Sequence, residues 1–105
     1  KINIAEKKTA LSTGTGGLSG PAIRPVGVAM TYKVKRAVSI PIFGIGGIMN
    51  YRDALEYLLA GASAVQIGTA NFVNPSTVKE VLQGIKRYCQ KEKISCIQEL
   101  HKYLL

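Results

Sequence analysis

The apolar positions of this chain change their period several times. Ile2 and Ile4 alternate with polar neighbours, and Ala10-Leu11 is a second short apolar run. Glu6-Lys7-Lys8 between them has turn composition, so a small hairpin is expected. Residues 13–21 hold four glycines within seven positions and are read as a loop, because glycine weakens helix and strand interiors. Pro25 suits a first helical turn. Val26, Met30, Val34 and Ala37 then recur at spacings of three and four, which predicts a helix to about Val38 with these residues as its apolar stripe.

Residues 41–45, Pro-Ile-Phe-Gly-Ile, form a continuous apolar run, the pattern of a strand buried on both faces as in parallel sheets. After the turn Gly46-Gly47-Ile48-Met49, Asn50 and Asp53 have the spacing of a capping box. The helix they open carries Ala54, Leu55, Leu58 and Leu59 on one stripe, and Gly61 stands where a C′ glycine ends it. Residues 64–67 are the next strand, and Gly68-Thr69 the next turn. Asn74 and Pro75 read as N-cap and first residue of a helix bearing Val78, Val81, Leu82, Ile85 and Cys89. Ser95 with Gln98 suggests a second capping box, opening a short terminal helix with Ile97, Leu100 and Leu104. Strands alternating with helices imply parallel β/α units.

Composition narrows the classes. With 105 residues, 47% of them hydrophobic and 19% charged, the chain has the makings of one small globular domain. A start at Lys1 rather than Met leads us to expect a piece of a longer chain or a processed product. No apolar run reaches the roughly 18 residues of a membrane span, and no apolar signal segment follows the polar first residues. The net charge of +8 is spread over several predicted helices without interleaved aromatics, so a solvated surface is favoured over nucleic-acid binding. Cys89 and Cys96 lack metal-ligand or CxxC spacing; no metal site is expected, and the pair reads as reduced cytoplasmic thiols. His101, the single histidine, falls in the terminal helix and reads as a surface residue.

Candidate chemistry gathers at the glycine turns. Both strands end in glycine, at Ile45-Gly46-Gly47 and Ile67-Gly68-Thr69. In a parallel sheet such turns lie side by side at the C-terminal edge, where backbone N–H groups can approach an anion and Thr69 can add a hydroxyl. Paired turns after the last strands of a β/α barrel form its usual phosphate site. Tight turns without a ligand use glycine too, but two on adjacent strands plus a third glycine loop favour binding.

The string Thr15-Gly16-Gly17-Leu18-Ser19-Gly20-Pro21-Ala22-Ile23-Arg24-Pro25 is very similar to the glycine loop of dihydroorotate dehydrogenases of the bacterial, NAD-linked type. The family's Gly-Gly-Ile turn and its strand ending in Gly-Thr-Ala-Asn-Phe follow in order, at 46–48 and 68–72. The resemblance runs from about residue 11 to the end and implies an α/β fold, the C-terminal portion of a parallel (β/α)8 TIM barrel, over the whole span 1–105. It further implies an FMN-dependent oxidation of dihydroorotate to orotate in pyrimidine (UMP) biosynthesis. Electrons would pass through a partner subunit carrying FAD and an iron–sulfur cluster to NAD, in a homodimer or heterotetramer. Gly20 matches a glycine that contacts FMN; Gly46, Gly47, Gly68 and Thr69 match the turns that hold the flavin phosphate. The family's catalytic cysteine and flavin-contacting lysine match nothing here and are expected before Lys1, so the fragment alone is expected to be inactive. Where the family usually has Asn, two residues before the loop's Thr-Gly-Gly, this chain has Thr13, which can make fewer hydrogen bonds. Alternatives are another FMN barrel, such as the related domain of dihydropyrimidine dehydrogenase, or a non-catalytic phosphate-binding remnant.

Overall fold

A computed structural model describes residues 1–104. The chain opens with a small antiparallel hairpin, β1 (Ile2–Asn3) against β2 (Lys8–Thr9). A one-turn 3-10 helix at Pro21–Ile23 leads into α1 (Arg24–Ala37). Then come β3 (Phe43–Ile45), α2 (Tyr51–Leu59), β4 (Ala64–Gln66), the short α3 (Ala70–Val73), α4 (Thr77–Lys91) and a 3-10 segment at Ile97–Tyr103. β3 and β4 pair in parallel, with Phe43 opposite Ala64, Gly44 opposite Val65 and Ile45 opposite Gln66. α2 makes the crossover between them, as parallel strands require. The described residues thus form an α/β unit around a two-stranded parallel sheet rather than a closed ring of strands.

α2 is the centre of the packing. Its start is closed by a complete capping box, Asn50 accepting from the Asp53 N–H and the Asp53 carboxylate accepting from the Asn50 N–H. Its end is closed by Gly61, whose φ of 107° suits glycine, with the Gly61 N–H bonded to the Leu58 carbonyl and the Ala62 N–H to that of Tyr57. One side of α2, through Ala54 and Tyr57, meets Ile48, Ala62 and Val81. The other, through Leu55 and Leu58, meets Leu100 of the terminal segment. Each fully buried leucine of this kind stabilises the fold by about 1.5–3 kcal/mol.

Several expectations are corrected. β3 spans three residues, not five, and is not buried on both faces: Phe43 and Ile45 are 60% and 59% exposed while Gly44 is buried. With only β4 beside it among the described residues, the face that carries these two side chains is left uncovered. The stripe Val26, Met30, Val34 of α1 points outward, and the helix packs instead through Gly27, Val28 and Thr31. A Cβ on Gly27 would lie 2.1 Å from the Tyr57 hydroxyl, so the absent side chain lets α1 sit directly on that ring. α4 turns its Thr77–Val81–Gly84 face inward for the same reason, Gly84 lying against Tyr51, and leaves Val78 and Leu82 half exposed.

α4 also begins at Thr77 rather than after Asn74. Asn74 instead ends α3, and its side chain accepts from the Ser76 N–H at 2.9 Å, so Pro75 lies in a tight turn between the helices. The Ser95–Gln98 capping box does not form: Ser95 bonds Glu99, Cys96 Sγ approaches Gln98, and the segment is 3-10 rather than α. His101 is not a surface residue. It is half-buried, with Nε2 3.2 Å from the Ala62 carbonyl, tying the terminal segment to the start of β4. Leu105, the last residue of the expected span, lies outside the described residues. Among the described residues no helix is long and apolar enough to cross a membrane.

Candidate functional site

At the C-terminal ends of β3 and β4 the chain forms a cleft of about 300 Å³. Gly20, Gly46, Gly47, Gly68 and Thr69 all line it. Residues of three separate sequence segments are therefore brought to one place. Leu18, Ser19 and Ile23 of the glycine loop, and Ile45 and Gln66 at the strand ends, complete most of the remaining wall.

The glycine loop is seated on the first turn by close backbone contact. Gly47 has φ +69°, and a Cβ there would lie 2.6 Å from the Gly20 carbonyl oxygen and 2.8 Å from Arg24 Cβ. Both the dihedral and the space exclude a larger residue. The seat is reinforced by charge: Arg24 Nη1 lies 2.5 Å from Asp53 Oδ1, and Asp53 Oδ2 accepts from the Met49 and Asn50 N–H groups at 2.8 and 3.2 Å. Arg24 Nε is 3.3 Å from Glu56 Oε2, an ion-pair contact without hydrogen-bond alignment.

Each turn is also held from behind by a side chain. The hydroxyl of Tyr57, a fully buried residue, donates to the Gly46 carbonyl at 2.8 Å and shares its proton with the Ile45 carbonyl at 3.1 Å. Burial raises the Tyr57 pKa above the ordinary phenol value, so the donor stays protonated. The Asn71 carboxamide donates to the Ile67 and Gly68 carbonyls at 3.0 and 3.1 Å. Two carbonyl partners identify the atom facing them as the amide nitrogen.

Gly68 and Gly20 differ from the other cleft glycines. An ideal Cβ at either meets no protein atom within 4 Å, so the space beside them is open. Thr69 stands at the start of α3 without using its hydroxyl as a cap. Thr13 turns its hydroxyl onto the Thr15 carbonyl at 2.8 Å, a contact within the exposed loop. Cys89, Cys96 and His101 do not line the cleft. Sequence reasoning missed Tyr57 and the hold of the Asn71 side chain on the second turn. Tyr57 belongs to the apolar face of α2 by spacing, and nothing local signals where its hydroxyl ends.

The family model of dihydroorotate dehydrogenase matches residues 1–89. The catalytic subunit of dihydroorotate dehydrogenase B (NAD(+)) of Petrotoga mobilis is 54% identical over 99 residues, covering 94% of this chain and 33% of that protein. The subunit of the same name from Desulforamulus reducens is 52% identical over the same shares. The chain therefore spans about a third of the length of these curated relatives. Among solved structures, the DHODH of Eimeria tenella in complex with ferulenol superposes with a TM-score of 0.75 at 23% identity, over 93% of this chain and 27% of that one. The ligand-free type from the same organism gives 0.74 at 24% identity, over 90% and 27%. At that identity the likeness is one of fold. With the family model matched over most of its length, the chain belongs to the dihydroorotate dehydrogenase family.

Proposed function

We propose that the cleft holds the phosphate of FMN, with Gly20, Gly46, Gly47, Gly68 and Thr69 around it. In this reading the complete protein oxidises dihydroorotate to orotate in pyrimidine biosynthesis, and these β/α units are the C-terminal portion of a (β/α)8 barrel. The observation that carries the proposal is the open space at Gly68 and Gly20 inside a cleft walled by two glycine turns. A compact anion fits such a cradle, because backbone N–H groups at glycine can reach it without side chains in the way.

Bound FMN would supply the hydride acceptor. The residues of this chain bind and orient: the two turns supply N–H donors, Thr69 a hydroxyl, and the glycine loop closes over them. A base must also take a proton from the substrate, and none of Cys89, Cys96 and His101 lines the cleft. That group is assigned to the part of the complete protein that the longer relatives have in addition. The names of those relatives, catalytic subunits of an NAD(+)-linked enzyme, support onward electron transfer to NAD through a separate subunit, for which the family resemblance implies FAD and an iron–sulfur cluster.

Gly68→Val in the complete protein tests the site. A Cβ at this position meets no protein atom and the added side chain would intrude on the cradle, so FMN affinity should fall by roughly tenfold or more, as expected for loss of a charge-assisted hydrogen bond of about 1.5–3 kcal/mol. Unchanged affinity would remove the phosphate assignment.

A further inference from the structure

The two turns are built alike in a way that neither sequence motif announces. At the first, one side chain takes two successive carbonyls, those of Ile45 and Gly46. At the second, another takes the carbonyls of Ile67 and Gly68. Every peptide bond here is trans. In a trans peptide the N–H points opposite to the carbonyl of the preceding residue. Holding the carbonyls of 45 and 46 on one side therefore turns the N–H groups of Gly46 and Gly47 to the other. Holding those of 67 and 68 does the same for the N–H groups of Gly68 and Thr69. These four residues line the cleft.

We infer that Tyr57 and Asn71 are positioning residues for anion binding: by anchoring the carbonyls behind the two turns, they fix the peptide planes whose N–H groups serve the cleft. This rests on the reading of the cleft as a phosphate site and adds what sets its donors in place. Glycine needs such an anchor. The backbone freedom that lets Gly46 and Gly47 adopt φ of 116° and 69° would also let their peptides rotate. Tyr57 is suited to the task because it is itself immobilised. A Cβ on Gly44 would lie 2.4 Å from its ring and one on Gly27 2.1 Å from its hydroxyl, so the phenol is clasped between β3 and α1. Asn71 is suited because its own backbone N–H also bonds the Gly68 carbonyl, at 3.0 Å, which fixes the side chain close to the turn it serves.

The role separates from simple support of the fold by comparing two ligands that differ only in the phosphate. Dissociation constants for FMN and for riboflavin are measured on the complete protein, as wild type, Tyr57→Phe and Asn71→Ala. Each variant should weaken FMN by roughly threefold to tenfold, the size of one lost hydrogen bond, while riboflavin changes less than about twofold. Equal weakening of both ligands, or no weakening of FMN, overturns the inference for that residue. If Tyr57→Phe does not fold, Asn71→Ala decides for the second turn. For the first turn, inorganic phosphate is then titrated into ¹⁵N-labelled wild-type protein. Movement of the Gly47 amide signal is expected, and its absence overturns the claim for Tyr57. A wild type that binds riboflavin as tightly as FMN would instead remove the phosphate site itself, and this inference with it.

Discussion

Arg24 and Asp53, 29 positions apart in the chain, meet with Nη1 2.5 Å from Oδ1, joining the end of the glycine loop to the first turn of α2. Asp53 is buried, and its other oxygen caps the helix and holds the Met49 N–H. One carboxylate therefore fixes the loop, the 46–49 turn and the helix relative to one another. Asp53→Ala should destabilise the complete protein by roughly 2–3 kcal/mol, combining a lost cap with an ion pair broken beside a partly exposed arginine. Urea unfolding measures this. A loss below about 0.5 kcal/mol, the size of an ordinary surface change, would mean that the pair does not organise the site.

The glycines of the site should separate stability from binding. Gly44→Ala places a methyl 2.4 Å from the Tyr57 ring and should cost roughly 1–3 kcal/mol by overpacking. Gly68→Ala meets open space and should leave the unfolding midpoint nearly unchanged while weakening FMN. Thermal melts without flavin, beside flavin titrations, read the two effects apart. A Gly68→Ala protein that is as unstable as Gly44→Ala would contradict the open cradle.

Burial raises the Tyr57 pKa above 10.0 in the folded state. Its contribution to stability is therefore fully present below about pH 10, where the unfolded phenol is still protonated, and is lost as pH rises through the higher folded value. Urea midpoints from about pH 8 to about pH 11 should fall more steeply for wild type than for Tyr57→Phe. Parallel curves would show that the phenol is not protected by the fold.

Among the described residues Phe43, Ile45, Val26 and Met30 are exposed and one edge of β3 has no partner strand. Such a surface favours association. The purified chain is expected to self-associate or pack loosely, to retain flavin weakly and to show no dihydroorotate turnover with an artificial acceptor. Sedimentation, flavin absorbance and hydrogen exchange at residues 42–45 test this together. A monomer with bound flavin, measurable turnover and strong amide protection there would overturn it and would bring Cys89 and Cys96 back as candidate bases.

The order of elements and the position of the cleft were legible in the chain because local signals set them. The Asn50–Asp53 box, Gly61 and the glycine turns act through neighbours a few residues away, and each stands where its spacing placed it. Family likeness of the loop string and the two glycine turns then named five candidate residues, and the fold brings all five to one cleft. Which helical face packs inward was decided by tertiary structure. On α1 the apolar stripe Val26, Met30 and Val34 lost to the face bearing Gly27, and on α4 Val81 and Ile85 of the stripe pack inward beside Gly84 while Val78 and Leu82 stay exposed, because close approach to Tyr57 and Tyr51 needs an absent side chain and hydropathy does not encode that. The exposure of β3 likewise depends on which strands lie beside it, not on the apolar run 41–45 that contains it. The turn donors depend on a hydroxyl 11 residues away in sequence reaching the Gly46 carbonyl from behind. Such a contact exists only once the crossover has folded α2 back against β3, which is why no local pattern around Tyr57 could reveal it.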